Sequence, residues 1–304
     1  MKCRICGNEQ GNKKYLAKEM MFGYRDEFEY FQCHSCHCLQ IAEYPKEMAR
    51  FYDESYYSYQ ISKNPLLTYL LKQRNRFELT GKGLIGKLIS NRIPNLSLRM
   101  ISDLLNDKNK SILDVGCGSG KFLKILHQSG FNKLTGIDPF LEHDILIDNS
   151  FSLLKKEIGE LDLSYDLIFF HHSLEHMPDQ HKVFSTITKI LSTNGVCVIR
   201  IPISSSYAWE HYGVHWAQLD APRHFYLHSL NSLNFLAASA GLRITKTQYD
   251  STPFQLFASE QYVKDIPMRD NRFNNKASYF DKIHTTKLNL NKRGDQAIFT
   301  LSRE

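Results

Sequence analysis

No apolar run in the 304-residue sequence approaches the roughly 20 residues that span a bilayer, so no membrane-spanning helix is expected. Met1-Lys2-Cys3-Arg4-Ile5-Cys6 has no apolar stretch behind it; no signal peptide is therefore expected, and the cytoplasm is the expected compartment. Internal repeats and low-complexity tracts are missing, which excludes a solenoid or a linker-dominated chain. A dominant charge of one sign is missing too. The net charge is +6, and in the first 45 residues Glu9, Glu19, Asp26, Glu27, Glu29 and Glu43 offset the basic side chains, which argues against a nucleic-acid partner. Core-forming residues are not scarce: 42% of the chain is hydrophobic and 23% charged. A large domain plus a small one can form without a disulfide scaffold. The seven cysteines, four of them in two CxxC pairs, then suggest metal binding.

Three regions stand out. Residues 1–45 hold the cysteine pairs. Residues 46–100 form a connector with Phe51-Tyr52 and Tyr56-Tyr57-Ser58-Tyr59, followed by basic, helical stretches bounded by Pro65 and Pro94. Between Lys63 and Arg99, eight Lys or Arg face one acid, Glu78, which suits a solvated helical face, or contact with a phosphate-bearing substrate, nucleic acid or an anionic membrane surface. From 101 onward, strand-like and helix-like stretches alternate. Ser111–Val115, Lys133–Ile137, Tyr165–Phe170 and Val196–Ile201 read as strands, with Asp144–Ile147 as the next candidate after Ile137. Lys121–Ser129, Val183–Leu191 and Ser229–Ala240 read as helices, and Leu242–Tyr249 with Ala297–Ser302 as a final strand pair. This alternation means an α/β fold on a parallel sheet, and continuous apolar strands fit a sheet covered on both faces.

Asp114-Val115-Gly116-Cys117-Gly118-Ser119-Gly120 lies between the first of these strands and a helix. Ligands of open α/β sheets bind outside the carboxyl ends of the strands, and glycines let the backbone approach them closely. The spacing is GxGxG and departs from the GxGxxG of dinucleotide enzymes, which disfavours an NAD-dependent oxidoreductase. Asp114 can attract an ammonium group. About twenty residues on, Asp138 ends the second strand, where a carboxylate can accept hydrogen bonds from ribose hydroxyls. Pro139 follows it in the expected cofactor-binding set. Too few residues separate Asp138 from the strand candidate at Asp144–Ile147 for the usual crossover helix, so the adenine side is left open.

Histidines crowd the same side of the sheet. His171, His172, Glu175 and His176 follow the fourth strand. Trp209-Glu210-His211-Tyr212-Gly213-Val214-His215-Trp216, then Asp220-Ala221-Pro222-Arg223-His224, follow the fifth. Two histidine loops are expected to converge on a cleft walled by aromatics. If the acceptor is a hydroxyl, a histidine near pKa 7 suits a general base. His224 is the first candidate, with Arg223 beside it to hold an anionic group, and His176 the second. His171 and His172 are expected to line the cofactor.

Cys3-x2-Cys6 and Cys33-x2-Cys36 have the spacing of two knuckles of one tetrahedral Zn²⁺ site of the closed, structural type. Gly7 allows the first turn, and His37 stands where a second glycine would be expected. Phe28–Phe31 is strand-forming, and the 26 residues between Cys6 and Cys33 suffice for a hairpin. His34, His37 and Cys38 are alternative ligands; metal-free reduced thiols or a redox pair are the other readings.

The region from about 100 to 302 closely resembles the class I methyltransferases that use S-adenosylmethionine (SAM). Asp114–Gly120 match their first motif and Asp138 their ribose-holding acid. Tyr165-Asp166-Leu167-Ile168 through Leu174-Glu175-His176-Met177-Pro178-Asp179 is similar to their fourth-strand segment. Leu191-Ser192-Thr193-Asn194-Gly195 resembles their LKPGG turn. The resemblance implies a Rossmann-like seven-stranded sheet with one antiparallel strand near the edge, here with a small N-terminal zinc ribbon. Asp114, Gly116, Cys117, Gly118, Gly120, Asp138, Pro139, His171 and His172 would hold SAM. Pro222-Arg223-His224 looks like the PRH segment of relatives with an N-terminal zinc ribbon, some of which C-methylate nucleotide-linked sugars. The implied function is methyl transfer to a small-molecule acceptor such as a sugar hydroxyl. A sugar C-methyltransferase and a non-catalytic SAM-binding module recruited through the ribbon are the alternatives. His171-His172-Ser173-Leu174 stands where amino-methylating nucleic-acid enzymes carry Asn/Asp-Pro-Pro-Tyr/Phe.

Overall fold

The computed structural model describes residues 1–52 and 65–304, so Tyr56-Tyr57-Ser58-Tyr59 and Lys63 of the connector lie outside the described residues. Contacts group the chain into two compact units. One, here the glycine-loop unit, comprises 65–171 and 190–197 among the described residues. The other, the cysteine unit, comprises 1–52, 172–189 and 198–304. Residues 1–45 therefore share a unit with most of the chain's second half.

In the cysteine unit, β1 (Lys13–Lys18), β2 (Glu27–Gln32) and β3 (Leu39–Ile41) form an antiparallel ribbon. The glycine-loop unit opens with α1 (Pro65–Thr80), α2 (Leu84–Arg92) and α3 (Leu96–Met100). Their single acid, Glu78, is buried and accepts from Arg99 Nε at 2.7 Å, Ser90 Oγ at 2.8 Å and the Asn95 N–H at 3.1 Å. Arg99 is thus part of the packing of the basic segment.

Next come β4 (Ile112–Val115), α4 (Lys121–Gln128) and β5 (Leu134–Ile137). All four residues of β4 are buried, as a strand covered on both faces requires. On α4, Leu123 and Leu126 repeat at helical spacing and are fully buried. The third parallel strand differs from the expected one. Ile145–Asp148 (β6) runs antiparallel to Phe151–Leu154 (β7), and it is β7 that lies parallel beside β5, Leu134 opposite Phe151. The stretch before Ile145 is too short for a crossover, whereas 138–150 as a whole reaches the minimum of about 10–12 residues. Asp148 closes the reversal by accepting from the Ser150 N–H at 2.8 Å.

Tyr165–His171 (β8) runs parallel to β4. The chain continues as α5 (Gln180–Ile190), β9 (Leu191–Pro202), α6 (Tyr207–Tyr212), β10 (Tyr226–Leu227) and α7 (Leu230–Ser239). It ends with β11 (Leu242–Tyr249), α8 (Phe254–Val263), α9 (Tyr279–Leu290) and β12 (Gln296–Arg303). Residues 191–195, which resemble a turn in sequence, form the first part of β9 instead. A Cβ on Gly195 would stand 2.8 Å from Leu191 Cδ1. Ser229 caps α7 by accepting from the Ser232 N–H, and Gly241 follows at φ +68°.

The strand order is β11-β12-β9-β8-β4-β5-β7-β6. Seven of these are the strands of the class I sheet, and β6 is an added edge strand. β11 and β12 form the expected terminal pair, and they run antiparallel. A second sheet, β1-β2-β3-β10, lies in the cysteine unit, with Tyr226 opposite Gln40 and Leu227 opposite Leu39. The segment after Pro222-Arg223-His224 thus supplies the ribbon's fourth strand. Among the described residues no helix is long and apolar enough to cross a membrane.

Candidate functional site

In the glycine-loop unit the chain leaves β4 through Gly116, Gly118 and Gly120, with φ of 72°, 50° and 71°. Left-handed backbone at three alternate positions is why glycines stand there. Gly116 and Cys117 donate N–H to Ile137 O at 2.8 and 3.1 Å. Gly118 donates N–H to Asp138 Oδ2 at 2.9 Å, and Asp138 Oδ1 accepts from the Phe140 N–H at 2.9 Å. Asp138 therefore clamps the glycine loop as well as ending β5. Each oxygen keeps a second lone pair, enough to accept a ligand hydroxyl. A Cβ on Gly118 would meet nothing within 4 Å, so the loop borders open space, whereas one on Gly120 would stand 2.9 Å from Leu153. Pro139 and Phe140 are exposed, Phe140 81% so. Cys117 is buried, and burial next to Asp114 and Asp138 pushes its thiol well up, so it stays protonated.

Asp114 is 3% exposed. Its Oδ1 and His171 Nδ1 are 3.6 Å apart, and neither has a hydrogen-bond partner among the described residues. His171 is fixed by rings, stacked on Phe169 at 5.4 Å and 4.4 Å from Phe122. An orphaned buried carboxylate oxygen beside an open glycine turn fits a ligand that brings a cationic donor, such as the ammonium of SAM. Phe122 and Phe140 are the residues that motif spacing missed. Only the apolar type of each, Phe122 two residues after Gly120 and Phe140 two residues after Asp138, was visible beforehand.

In the cysteine unit the two histidine loops do meet. The single turn Leu174–His176 places Glu175, fully buried, beside His172 Nδ1 at 3.3 Å and His224 Nε2 at 4.0 Å. The His176 and His224 rings are 4.8 Å apart. His176 Nδ1 lies 2.8 Å from Arg223 O and 3.1 Å from the Tyr52 hydroxyl, and His224 Nδ1 lies 2.8 Å from Gln218 O. Burial pulls His172 and His176 below the ordinary imidazole value. Burial works to raise Glu175, yet the imidazoles around it, His172 foremost, hold it at about 2.

Three sequence readings need correction here. Arg223 is fully buried and cannot hold an acceptor's anion. It donates Nε to Asp220 Oδ2 at 2.9 Å, Nη2 to Asp220 Oδ1 at 2.6 Å and to Glu19 Oε1 at 3.0 Å, and Nη1 to Phe51 O. His172 has both ring nitrogens engaged by other side chains: its Nε2 is 2.8 Å from Arg200 Nη1 and its Nδ1 faces Glu175. Trp209 and Trp216 are buried core residues, and Trp216 donates Nε1–H to Asp295 Oδ2 at 2.9 Å. His224 is also 4% exposed, while His176 is half-buried.

The four ribbon cysteines converge as the spacing implies. Cys3 and Cys36 sulfurs are 3.6 Å apart and those of Cys6 and Cys33 3.5 Å, with all four within 4.8 Å of one another. Tetrahedral thiolates at about 2.3 Å from Zn²⁺ would stand about 3.8 Å apart, so the cluster has the right size. The knuckles match bond for bond. Gly7 N–H donates to Cys3 O and His37 N–H to Cys33 O, both at 3.0 Å, and His37 takes the left-handed φ of 58° opposite 77° at Gly7. The contact with Cys36 draws the Cys3 thiol down to about 4 against burial, helped by N–H groups of Cys6 and Ile5 and by Gln40. Cys38 lies outside the cluster, near His228.

A family model described as a methyltransferase domain matches residues 89–247. The trans-aconitate 2-methyltransferase of Escherichia coli O1:K1 is 32% identical over 97 residues, which is 30% of this chain and 38% of that protein. The chain thus spans under two fifths of that relative's length. Among solved structures, the YcgJ protein from Bacillus subtilis aligns at 16% identity and TM-score 0.46 over 67% of this chain and 97% of that one. Magnesium protoporphyrin IX methyltransferase from Synechocystis PCC 6803 with bound SAH aligns at 14% identity and TM-score 0.44, over 78% and 95%.

Proposed function

Because the chain belongs to the methyltransferase domain family, whose matched span holds the glycine loop, Asp138 and all of β8, we propose that it transfers a methyl group from SAM to a small-molecule acceptor. The observation that carries this reading is Asp114, buried beside an open glycine turn with one oxygen unpartnered. In the proposed complex that oxygen accepts from the SAM ammonium, Asp138 accepts from the ribose hydroxyls, and exposed Phe140 offers a face to the adenine. The acceptor oxygen attacks the sulfonium methyl in line, the carbon–sulfur bond breaks, and S-adenosylhomocysteine leaves with the electron pair. The protein's contribution is alignment and exclusion of water.

The acceptor's proton needs a base, and we place His176 ahead of His224. His176 is half-buried, and its Nε2 makes no hydrogen bond to the described residues, whereas His224 is almost enclosed. With Arg223 committed to Asp220 and Glu19, no phosphate on the acceptor is required. The curated relatives are named for trans-aconitate, so the acceptor panel extends from hydroxylated sugars to small carboxylates. Zn²⁺ in the four-cysteine cluster and a cytoplasmic setting, which suits seven free thiols, complete the reading. The test is S-adenosylhomocysteine formation across that panel, with calorimetric titration of SAM and NAD. Binding of NAD with no binding of SAM would sink the proposal. Binding of SAM with no turnover on any acceptor would favour a non-catalytic module.

A further inference from the structure

Glu175 is the least accounted-for charge in the cysteine unit. It is fully buried, and neither carboxylate oxygen has a hydrogen-bond partner among the described residues. Its ion-pair contacts are to imidazoles, His172 Nδ1 at 3.3 Å and His224 Nε2 at 4.0 Å. A buried carboxylate in this state is costly unless a cation meets it.

The neighbouring imidazoles are oriented for one. His176 Nδ1 and His224 Nδ1 each lie 2.8 Å from a backbone carbonyl, of Arg223 and Gln218. A carbonyl only accepts, so each Nδ1 carries a proton, and the neutral ring of that tautomer presents an Nε2 lone pair to a metal. The Tyr52 hydroxyl at 3.1 Å shares the His176 proton. A carbonyl on the far nitrogen is the support that metal-ligating histidines commonly have. One ligand atom from each of Glu175, His176 and His224 falls within 4.8 Å of the others. Ligands about 2.1 Å from a tetrahedral Zn²⁺ stand about 3.4 Å apart, a closure of less than about 1 Å per side chain.

We propose that Glu175, His176 and His224 form a second metal site, separate from the cysteine cluster, for a divalent transition ion of the zinc class. Two imidazoles and one carboxylate favour such an ion over Mg²⁺ or Ca²⁺, and three protein ligands leave a position open for water or an acceptor oxygen. The site goes beyond the proposed methyl transfer and does not depend on it. With an ion in place, His176 Nε2 is a ligand, and a bound hydroxyl is acidified by the ion's charge instead of by an imidazole.

The test uses the full chain, stripped by chelator, reloaded with excess Zn²⁺ and freed of unbound metal. Mass-spectrometric counting is expected to find about one equivalent less zinc in Glu175→Gln and in His176→Gln than in the unaltered chain. The circular dichroism of both should be unchanged, with the cysteine cluster as internal control. Equal zinc in all three overturns the proposal. A Co²⁺ titration of the unaltered chain needs no variant. Ligand-field absorption is expected to grow over part of the titration with no matching sulfur-to-cobalt charge transfer. Growth of both bands in fixed proportion up to saturation overturns it.

Discussion

Arg223→Met removes the cation from between two buried carboxylates. Arg223 and Glu19 are fully buried, and Asp220 nearly so. Glu19 keeps three other donors, the N–H groups of Phe22, Gly23 and Tyr24 at 2.9, 2.9 and 3.0 Å. Asp220 has both oxygens on the guanidinium, so it is the group left exposed to the full cost. Breaking a buried pair from one side typically costs about 3–5 kcal/mol, and that is the expected loss. Both tryptophans of the chain, Trp209 and Trp216, lie in the cysteine unit, so tryptophan emission in urea reads the unit that holds the triad. A pH series adds a second readout. Burial works to raise the Asp220 carboxyl, but Arg223 holds it below its ordinary value. A lowered carboxyl stabilises the fold above about pH 4 and loses that contribution as pH falls through the folded-state value. Arg223→Met should therefore lose stability mainly above pH 4, and Asp220→Asn in the same chain should restore part of it. A loss below about 1 kcal/mol, the range of exposed ion pairs, would refute the reasoning.

Gly136→Ala places a Cβ 2.6 Å from Leu153 Cδ2 and 2.8 Å from Cys117 Sγ; it should cost about 1–3 kcal/mol and weaken SAM binding, and unchanged affinity by calorimetry would count against the close packing of β5 on the loop. His37→Gly relieves an exposed side chain at φ 58° and should stabilise the ribbon by about 1 kcal/mol, read as a higher urea midpoint; a lower midpoint would show that the imidazole itself contributes. Burial lowers His228 from 6.5 to about 4, so the unfolded chain takes up a proton first, and stability should rise by up to about 3 kcal/mol between pH 4 and 6.5 and gain nothing further above. His228→Asn should lose that rise, and an unchanged profile would remove His228 as its source.

What the sequence made legible was local. The Asp114–Gly120 turn, the acid at Asp138 and the two cysteine knuckles each lie within one short stretch whose spacing dictates its backbone, down to His37 in place of a glycine. What it hid was long-range. Glu19 is 204 residues from Arg223, so nothing near Pro222-Arg223-His224 reveals that the arginine is already paired. Tyr226 and Leu227 read as the tail of a histidine loop until β3 is seen beside them. Asp144–Ile147 and Phe151–Leu154 are similar apolar runs, and only the pairing to β5 decides which is the third strand. The aromatics around Trp216 look like pocket walls in one dimension, and the buried Asp295 that binds the indole is 79 residues away.

The central claim is that the glycine loop holds SAM through Asp114. Calorimetric titration of SAM into the unaltered chain and into Asp114→Asn tests it most directly. The expected result is one SAM per chain, no comparable heat from NAD, and an affinity about 10- to 150-fold weaker in the variant, the worth of one charge-assisted hydrogen bond of about 1.5–3 kcal/mol. Absence of SAM binding, or equal affinity in the variant, would contradict it.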